Sequence, residues 1–267
     1  VIEHKMMWAG YCLQKEANSI KGGGNREIRF HALFVLLEHP QYGHILFDTG
    51  YGSYFYEATE VFPYSVYARV TPVFINEEDT AKSQLLKLGI KPEDVSYIII
   101  SHFHADHIGG LRDFPEAKFV CLESAYQAIN KRTGIMALRE GFLPKLLPDD
   151  FSDRVMFLRE KTFSDEFCPF TYYYDVFGDK SILAFALSGH ASGQIGILSG
   201  KRFFVADACY HSDAYRKMLP PPLMVRMLLG SNREYLRMLS ILHAFYQKHP
   251  DIEIIPSHCN EVVRKYA

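Results

Sequence analysis

The stretch that most constrains this chain is Ser101 to Gly110, SHFHADHIGG, which packs three histidines and an aspartate into six positions directly after the apolar run Val95 to Ile100. Val95 to Ile100 reads as a strand. At the end of an extended strand His102 and His104, two apart, point the same way and can share one cation. Asp106 and His107 follow where Gly109 and Gly110 force the chain to turn, which aims them at a second cation beside the first. A chain that spends four ligand-type residues on one strand end must fold so that other segments bring further ligands to it.

The rest of the chain is organised to do so. Met6 to Leu13, Ile28 to Glu38 and Gly43 to Phe47 read as strands, separated by the loop Gly22 to Asn25 and by Pro40 to Gly43. Tyr51 to Ile75 is dense in Tyr and Phe without period 2 or 3.6, and is read either as the edge of the core or as the wall of an apolar pocket. A helix is expected from Asn76 to Asp79 onward, with Ala81, Leu85 and Leu88 on one face and Gly89 as its stop, leading through Pro92 into the strand that feeds the histidines. Lys118 to Leu122 reads as a strand, and Glu123 to Asn130 and Ile135 to Leu147 as helical pieces, the second broken by Pro144 and Pro148. A second strand series covers Arg154 to Thr162, Phe170 to Val176, Ile182 to Leu187, Gln194 to Leu198 and Arg202 to Ala206. The clearest helix has Ser231 and Glu234 in capping-box spacing, with Tyr235, Leu239, Leu242 and Tyr246 as its stripe. Ile252 to Ile255 is the last strand.

Three of these later strands end at a candidate ligand: His190 in SGHASGQIG, Asp207 in FVADACY and His258 in IIPSHC. The other seven histidines, His4, His31, His39, His44, His211, His243 and His249, fit no motif and are read as structural or surface residues.

Composition narrows the partners. With 267 residues, 48% hydrophobic and 22% charged, the chain suits one large domain spanning residues 1–267. A formal net charge of −2 and no long Lys/Arg block argue against nucleic acid and anionic membrane, and favour a small substrate. The five scattered cysteines, without CxxC spacing, point to a reducing compartment and a cytoplasmic location. No apolar run approaches the ~18 residues of a membrane span. Nor does the N-terminus read as a secretory signal, although Val1 in place of Met leaves room for a removed segment.

The hexad, together with the strand ends at Asp48-Thr49-Gly50, His190, Asp207 and His258, resembles the signature of the metallo-β-lactamase superfamily of metallohydrolases. The resemblance implies an α/β fold, an αββα sandwich of two mixed β-sheets with helices on the outer faces. It also implies that Asp48 braces the ligand loop from behind. His102, His104 and His190 would bind one ion, Asp106, His107 and His258 the other, with Asp207 bridging both. Imidazoles and carboxylates suit two Zn²⁺ ions, and Mn or Fe could occupy the same set. Hydrolysis by a hydroxide held between the ions is the reaction so implied.

Departures from individual branches narrow the substrate. The commonest zinc β-lactamases carry cysteine where Asp207 stands. Glyoxalase II-type thioesterases add a C-terminal helical domain, the RNA-processing members a large inserted domain, and the diiron flavoproteins a glutamate at the position of His104. Tyr210, three residues after Asp207, matches a tyrosine of the N-acyl-homoserine lactonases, where the hydroxyl faces the substrate carbonyl. The implied function is quorum-quenching lactonase chemistry on an acyl-homoserine lactone or related small lactone by a monomer or homodimer, with Asp106 and Tyr210 as catalytic residues. Hydrolysis of another ester or thioester is the alternative, and a metal-binding sensor without turnover a third reading. Pro220 to Val225 is expected to form a loop near the metals and, with Tyr54, Phe55, Tyr64 and Tyr67, to hold an acyl chain.

Overall fold

A computed structural model describes residues 2–228 and 230–267, so Val1 and Leu229 lie outside the described residues. The chain divides into two compact units, one of residues 1–13, 29–157 and 267, the other of residues 14–28 and 158–266.

The first unit is built on a seven-stranded mixed sheet. Its strands are β1 (Glu3–Lys15), β2 (Glu27–His39), β3 (Gly43–Phe47), β4 (Val73–Phe74), β5 (Val95–Ile99), β6 (Lys118–Leu122) and β7 (Val155–Leu158), in the order β4-β1-β2-β3-β5-β6-β7. β3, β5 and β6 run parallel, with Phe47 paired to Ile99 and Ile99 to Val120. Parallel strands are buried on both faces and so read as continuous apolar runs. Ile45, Leu46, Ile98, Ile99 and Phe119 are indeed fully buried. The helices of this unit are short: α1 (Tyr54–Ala58), α2 (Ser65–Val70), α3 (Ala81–Lys87), α4 (Ala105–Ile108), α5 (Glu123–Ile129), α6 (Gly134–Arg139) and α7 (Phe151–Arg154). Thr80 caps α3 by accepting from the Ser83 N–H, and the expected stop at Gly89 has φ +81°. The helix expected to run to Leu147 ends at Arg139 instead, because Gly141 takes φ +64° before Pro144 is reached.

The aromatic stretch forms α1, α2 and β4. Phe55 is a core residue, 1% exposed, its ring edge-to-face with Tyr51 and Tyr67. The Tyr54 hydroxyl donates to Asp113, and the Tyr64 hydroxyl accepts from the Gly134 N–H at 2.7 Å. These four aromatics therefore carry structural contacts of their own.

In the second unit β8 (Thr162–Phe163), β9 (Tyr172–Asp175), β10 (Leu183–Ala186), β11 (Ile195–Ser199), β12 (Arg202–Ala206) and β13 (Glu253–Pro256) form a six-stranded sheet in the order β13-β12-β11-β10-β9-β8. Only the β12–β13 pair is parallel among the pairs that are described. Its helices are α8 (Ser212–Lys217), α9 (Leu223–Leu228), α10 (Asn232–Lys248) and α11 (Asn260–Tyr266). Met238, Leu239, Leu242 and Phe245 of α10 and Ala214 and Tyr215 of α8 join Phe185, Phe203 and Val205 in one apolar core. The rings of Phe185, Phe203 and Phe245 lie 5.2 Å apart in succession. The prolines at 220–222 stand before α9 rather than inside it, so Pro220 to Val225 is part loop and part helix, with Met224 81% exposed. Two mixed sheets with helices are thus present, as the resemblance implied.

No helix among the described residues is long and apolar enough to cross a membrane. None of the five cysteines is in a disulfide: Cys12, Cys121, Cys209 and Cys259 are buried and Cys168 half-buried. Burial pushes the Cys121 thiol up to about 12 and holds that of Cys209 well above its ordinary value. Because the thiolate is the reactive form, a thiol reagent should titrate Cys168 rapidly in the native protein and the other four only after denaturant is added. Fast reaction of a buried cysteine in an alkylation and mass-spectrometry experiment would contradict this packing.

Candidate metal centre

In the first unit the ligand-type residues stand at the carboxyl ends of the parallel strands, where ligands of open α/β sheets bind. β5 ends at Ile99, and His102, His104, Asp106 and His107 follow over a short link and the single turn α4. The His102 ring lies 4.5 Å from that of His104 and 4.1 Å from that of His107, centroid to centroid. The Asp106 carboxylate is 3.7 Å from Nε2 of His107. His102 and His107 are fully buried and His104 half-buried.

Asp48, at the end of the neighbouring β3, holds this loop. It accepts from the Ser101 N–H and hydroxyl, both at 2.7 Å, and pairs with Nδ1 of His107 at 2.7 Å. Burial pushes its carboxyl above the usual carboxylate range, opposed by the His107 ring and the Ser101 donors. The brace that resemblance assigned to Asp48 is therefore present as hydrogen bonds. Its backbone at φ +58° is strained for a non-glycine residue. Thr49 continues the clamp, its hydroxyl donating to the His107 carbonyl and accepting from the Gly110 N–H. Gly109 has to be glycine, because a Cβ there would sit 2.4 Å from the Gly52 backbone nitrogen.

The second unit collects its own set. β12 and β13 run parallel and bring Asp207 and His258 to one edge, with Ala206 at φ +47° turning the chain just before Asp207. Nε2 of His258 lies 3.1 Å from the Asp207 carboxylate, and Nε2 of His190 lies 3.4 Å from it. Tyr210 shares a 3.1 Å hydrogen bond with Nδ1 of His190.

The His190 loop is held by the start of α10. The Gly230 and Ser231 N–H groups donate to the carbonyls of His190 and Gly189 at 3.1 and 3.0 Å, and the Ser188 hydroxyl donates to Glu234 at 3.1 Å. Ser231 accepts from the Glu234 N–H as capping-box spacing implied. The Glu234 carboxylate, however, receives Ser188, so this residue of the helix's first turn also tethers the ligand loop. Gly189, at φ +120°, leaves no room for a Cβ, which would meet the Tyr235 nitrogen at 2.3 Å.

His102, His107 and His190 each have an oxygen partner at Nδ1: Ser101 Oγ for His102 at 3.0 Å, Asp48 for His107 and Tyr210 for His190. An imidazole held in this way has its tautomer and ring orientation fixed and presents Nε2 as the ligand atom. The donor set fits divalent transition metals, with imidazole and carboxylate supplied and no thiolate. Of the other histidines, His39 accepts from the Gln41 and Tyr42 N–H groups, His211 caps α8, and His243 and His249 bond the carbonyls of Tyr215 and Cys168.

The fold and the paired His/Asp sets are those of a metal-dependent hydrolase. A model of the metallo-β-lactamase superfamily matches residues 30–166, and the chain belongs to that superfamily. Within it, an N-acyl homoserine lactonase of Azorhizobium caulinodans is 28% identical over 212 residues, 74% of this chain and 73% of that protein. A protein of Mycobacterium tuberculosis described as a probable metallo-hydrolase is 30% identical over 243 residues, 84% of this chain and 73% of that one. A solved N-acyl homoserine lactone hydrolase with the product N-hexanoyl-L-homoserine at its catalytic metal centre has the same fold, with a TM-score of 0.75 at 19% identity over 98% of this chain and 95% of that one.

Proposed function

We propose that the protein is a cytoplasmic dinuclear metal-dependent lactonase that opens N-acyl-homoserine lactones or related small lactones, a quorum-quenching activity. In this reading His102, His104 and His190 would hold one ion, Asp106, His107 and His258 the other, and Asp207 would be shared by both. The observation that carries the reading is the engaged Nδ1 of His102, His107 and His190, which prepares their Nε2 atoms for a cation. Zinc is the proposed ion, with Mn or Fe suited to the same donors. Bound divalent ions supply Lewis acidity, lowering the pKa of water toward about 7 and polarising the ester carbonyl.

The protein's own groups supply orientation and proton placement. As a neutral ligand through Nε2, His190 would carry its proton on Nδ1 and donate a hydrogen bond from it to the Tyr210 oxygen, 3.1 Å away. A phenol accepts and donates at once, so its own proton is the one offered to the carbonyl oxygen as negative charge develops there. The relatives named as N-acyl homoserine lactonases support a lactone over another ester.

Tyr210→Phe should lower kcat/KM for a lactone by roughly tenfold to a hundredfold, less than the ~10²–10³ of a principal oxyanion donor, since the metals share the charge. Ring opening of N-hexanoyl-homoserine lactone, followed by proton release with Zn²⁺ present, tests the function. Turnover of thioesters or phosphodiesters with lactones untouched would overturn it.

A further inference from the structure

We infer that Gly141 is a positioning residue for His104, its missing side chain being the space that the His104 ring fills; this rests on the proposed role of His104 as a ligand. Gly141 follows α6 at φ +64°. Its N–H donates to the Leu138 carbonyl and the Phe142 N–H to the Ala137 carbonyl, each at 3.0 Å. This pair of bonds ends a helix on a left-handed residue, which explains a glycine there but not what surrounds it. A Cβ on Gly141 would lie 2.4 Å from Cδ2 and 2.6 Å from Nε2 of His104. Those atoms form the far edge of the imidazole, so the new Cβ and the ring cannot both keep their places.

The loop is not free to back away. Phe142, 2% exposed, sets its ring edge-to-face against Phe103 at 6.4 Å, and Phe103 stands between His102 and His104 in the chain. Its N–H bond to Ala137 ties the same residue to α6. The group that gives way to a new Cβ is the half-buried His104 ring, the end of a side chain rather than backbone. A swung ring leaves the position that a ligand must hold within a fraction of an ångström.

Gly89 provides a matched control. It ends α3 with the same two bonds, Gly89 N–H to Leu86 and Ile90 N–H to Leu85, both at 3.0 Å, and has φ +81° with nothing within 4 Å of a built Cβ. Gly89→Ala thus meets the same backbone strain without touching a ligand. Gly141→Asn, which tolerates the left-handed region, keeps a folded variant available while still presenting a Cβ.

The experiment is Zn²⁺ affinity by competition with a chromophoric chelator, with thermal midpoints, for wild type, Gly141→Ala, Gly141→Asn, Gly89→Ala, His104→Ala and the His104→Ala/Gly141→Ala pair. Both alanine variants at glycine should lower the midpoint to a similar extent. Only the Gly141 variants should weaken one of two ions, by about 10–100-fold as for other groups that orient a ligand, and Gly141→Ala should add nothing in the His104→Ala background. Wild-type affinity in both Gly141 variants, or an equal loss in Gly89→Ala, would overturn the role of Gly141 while leaving the metal reading in place. A wild type that takes up no ion removes the metal reading itself, and this inference with it.

Discussion

Replacing Asp207 with alanine is expected to leave a folded protein that has lost both ions and, with them, its hydrolytic activity. In the proposed assignment this carboxylate is shared, and within its own unit it already stands 3.1 Å from Nε2 of His258 and 3.4 Å from Nε2 of His190. Two cations close together need an anion between them, so deleting the only shared protein ligand raises their mutual repulsion as well as removing a bond from each. The loss should exceed the roughly 10–100-fold that follows removal of a group behind a ligand. Folding should survive, since Asp207 lies at a strand end outside the Phe185/Phe203/Phe245 core. Metal analysis by plasma emission and a far-ultraviolet dichroism spectrum check this together. His190→Ala and His258→Ala should each weaken a different ion, and an Asp207→Ala protein that still held one ion tightly would rule out the bridge.

Asp48→Ala should be costly in a different currency, stability. Its two oxygens receive the Ser101 N–H, the Ser101 hydroxyl and Nδ1 of His107, all at 2.7 Å and all buried. Alanine takes the acceptor from the buried Ser101 N–H, while the Ser101 hydroxyl keeps the ring nitrogens of His102 and His107 at 3.0 and 3.2 Å. At about 1–3 kcal/mol for each buried bond to the carboxylate that is lost, the variant should lose about 3–5 kcal/mol of unfolding free energy. Metal affinity should fall as well, because the ring of His107 loses what fixes it. Denaturant unfolding of the metal-free protein separates the two effects. A change below about 1 kcal/mol there would show that the clamp is not needed to hold the loop.

Much of this was legible in the chain because the architecture repeats one device: a strand that ends in a ligand. β5, β10, β12 and β13 each announce themselves by apolar residues and then deliver His102, His190, Asp207 or His258. The tethers were harder to read. Glu234 sits in capping-box spacing, and only its bond to Ser188, 46 positions away, reveals the second task. Gly141 looks like any helix stop until a Cβ is built on it. The short helices α8, α9 and α11, of six or seven residues, span too few turns to show a period, so a single long helix after Asp207 was all the pattern displayed. Tyr210 stands out in the sequence only by its offset from Asp207, and its bond to His190 adds a duty that spacing alone does not express.

The hydroxyls and carboxylate behind His102, His107 and His190 have a consequence outside catalysis. These rings are oriented by oxygens of the protein itself. In the proposed metal centre such a donor set would do little to sort among ions, because imidazole and carboxylate donors accept several first-row metals. Supply in the cell would then decide which ion fills it, and the fraction of active molecules would follow the cell's zinc, manganese or iron status rather than the amount of protein made.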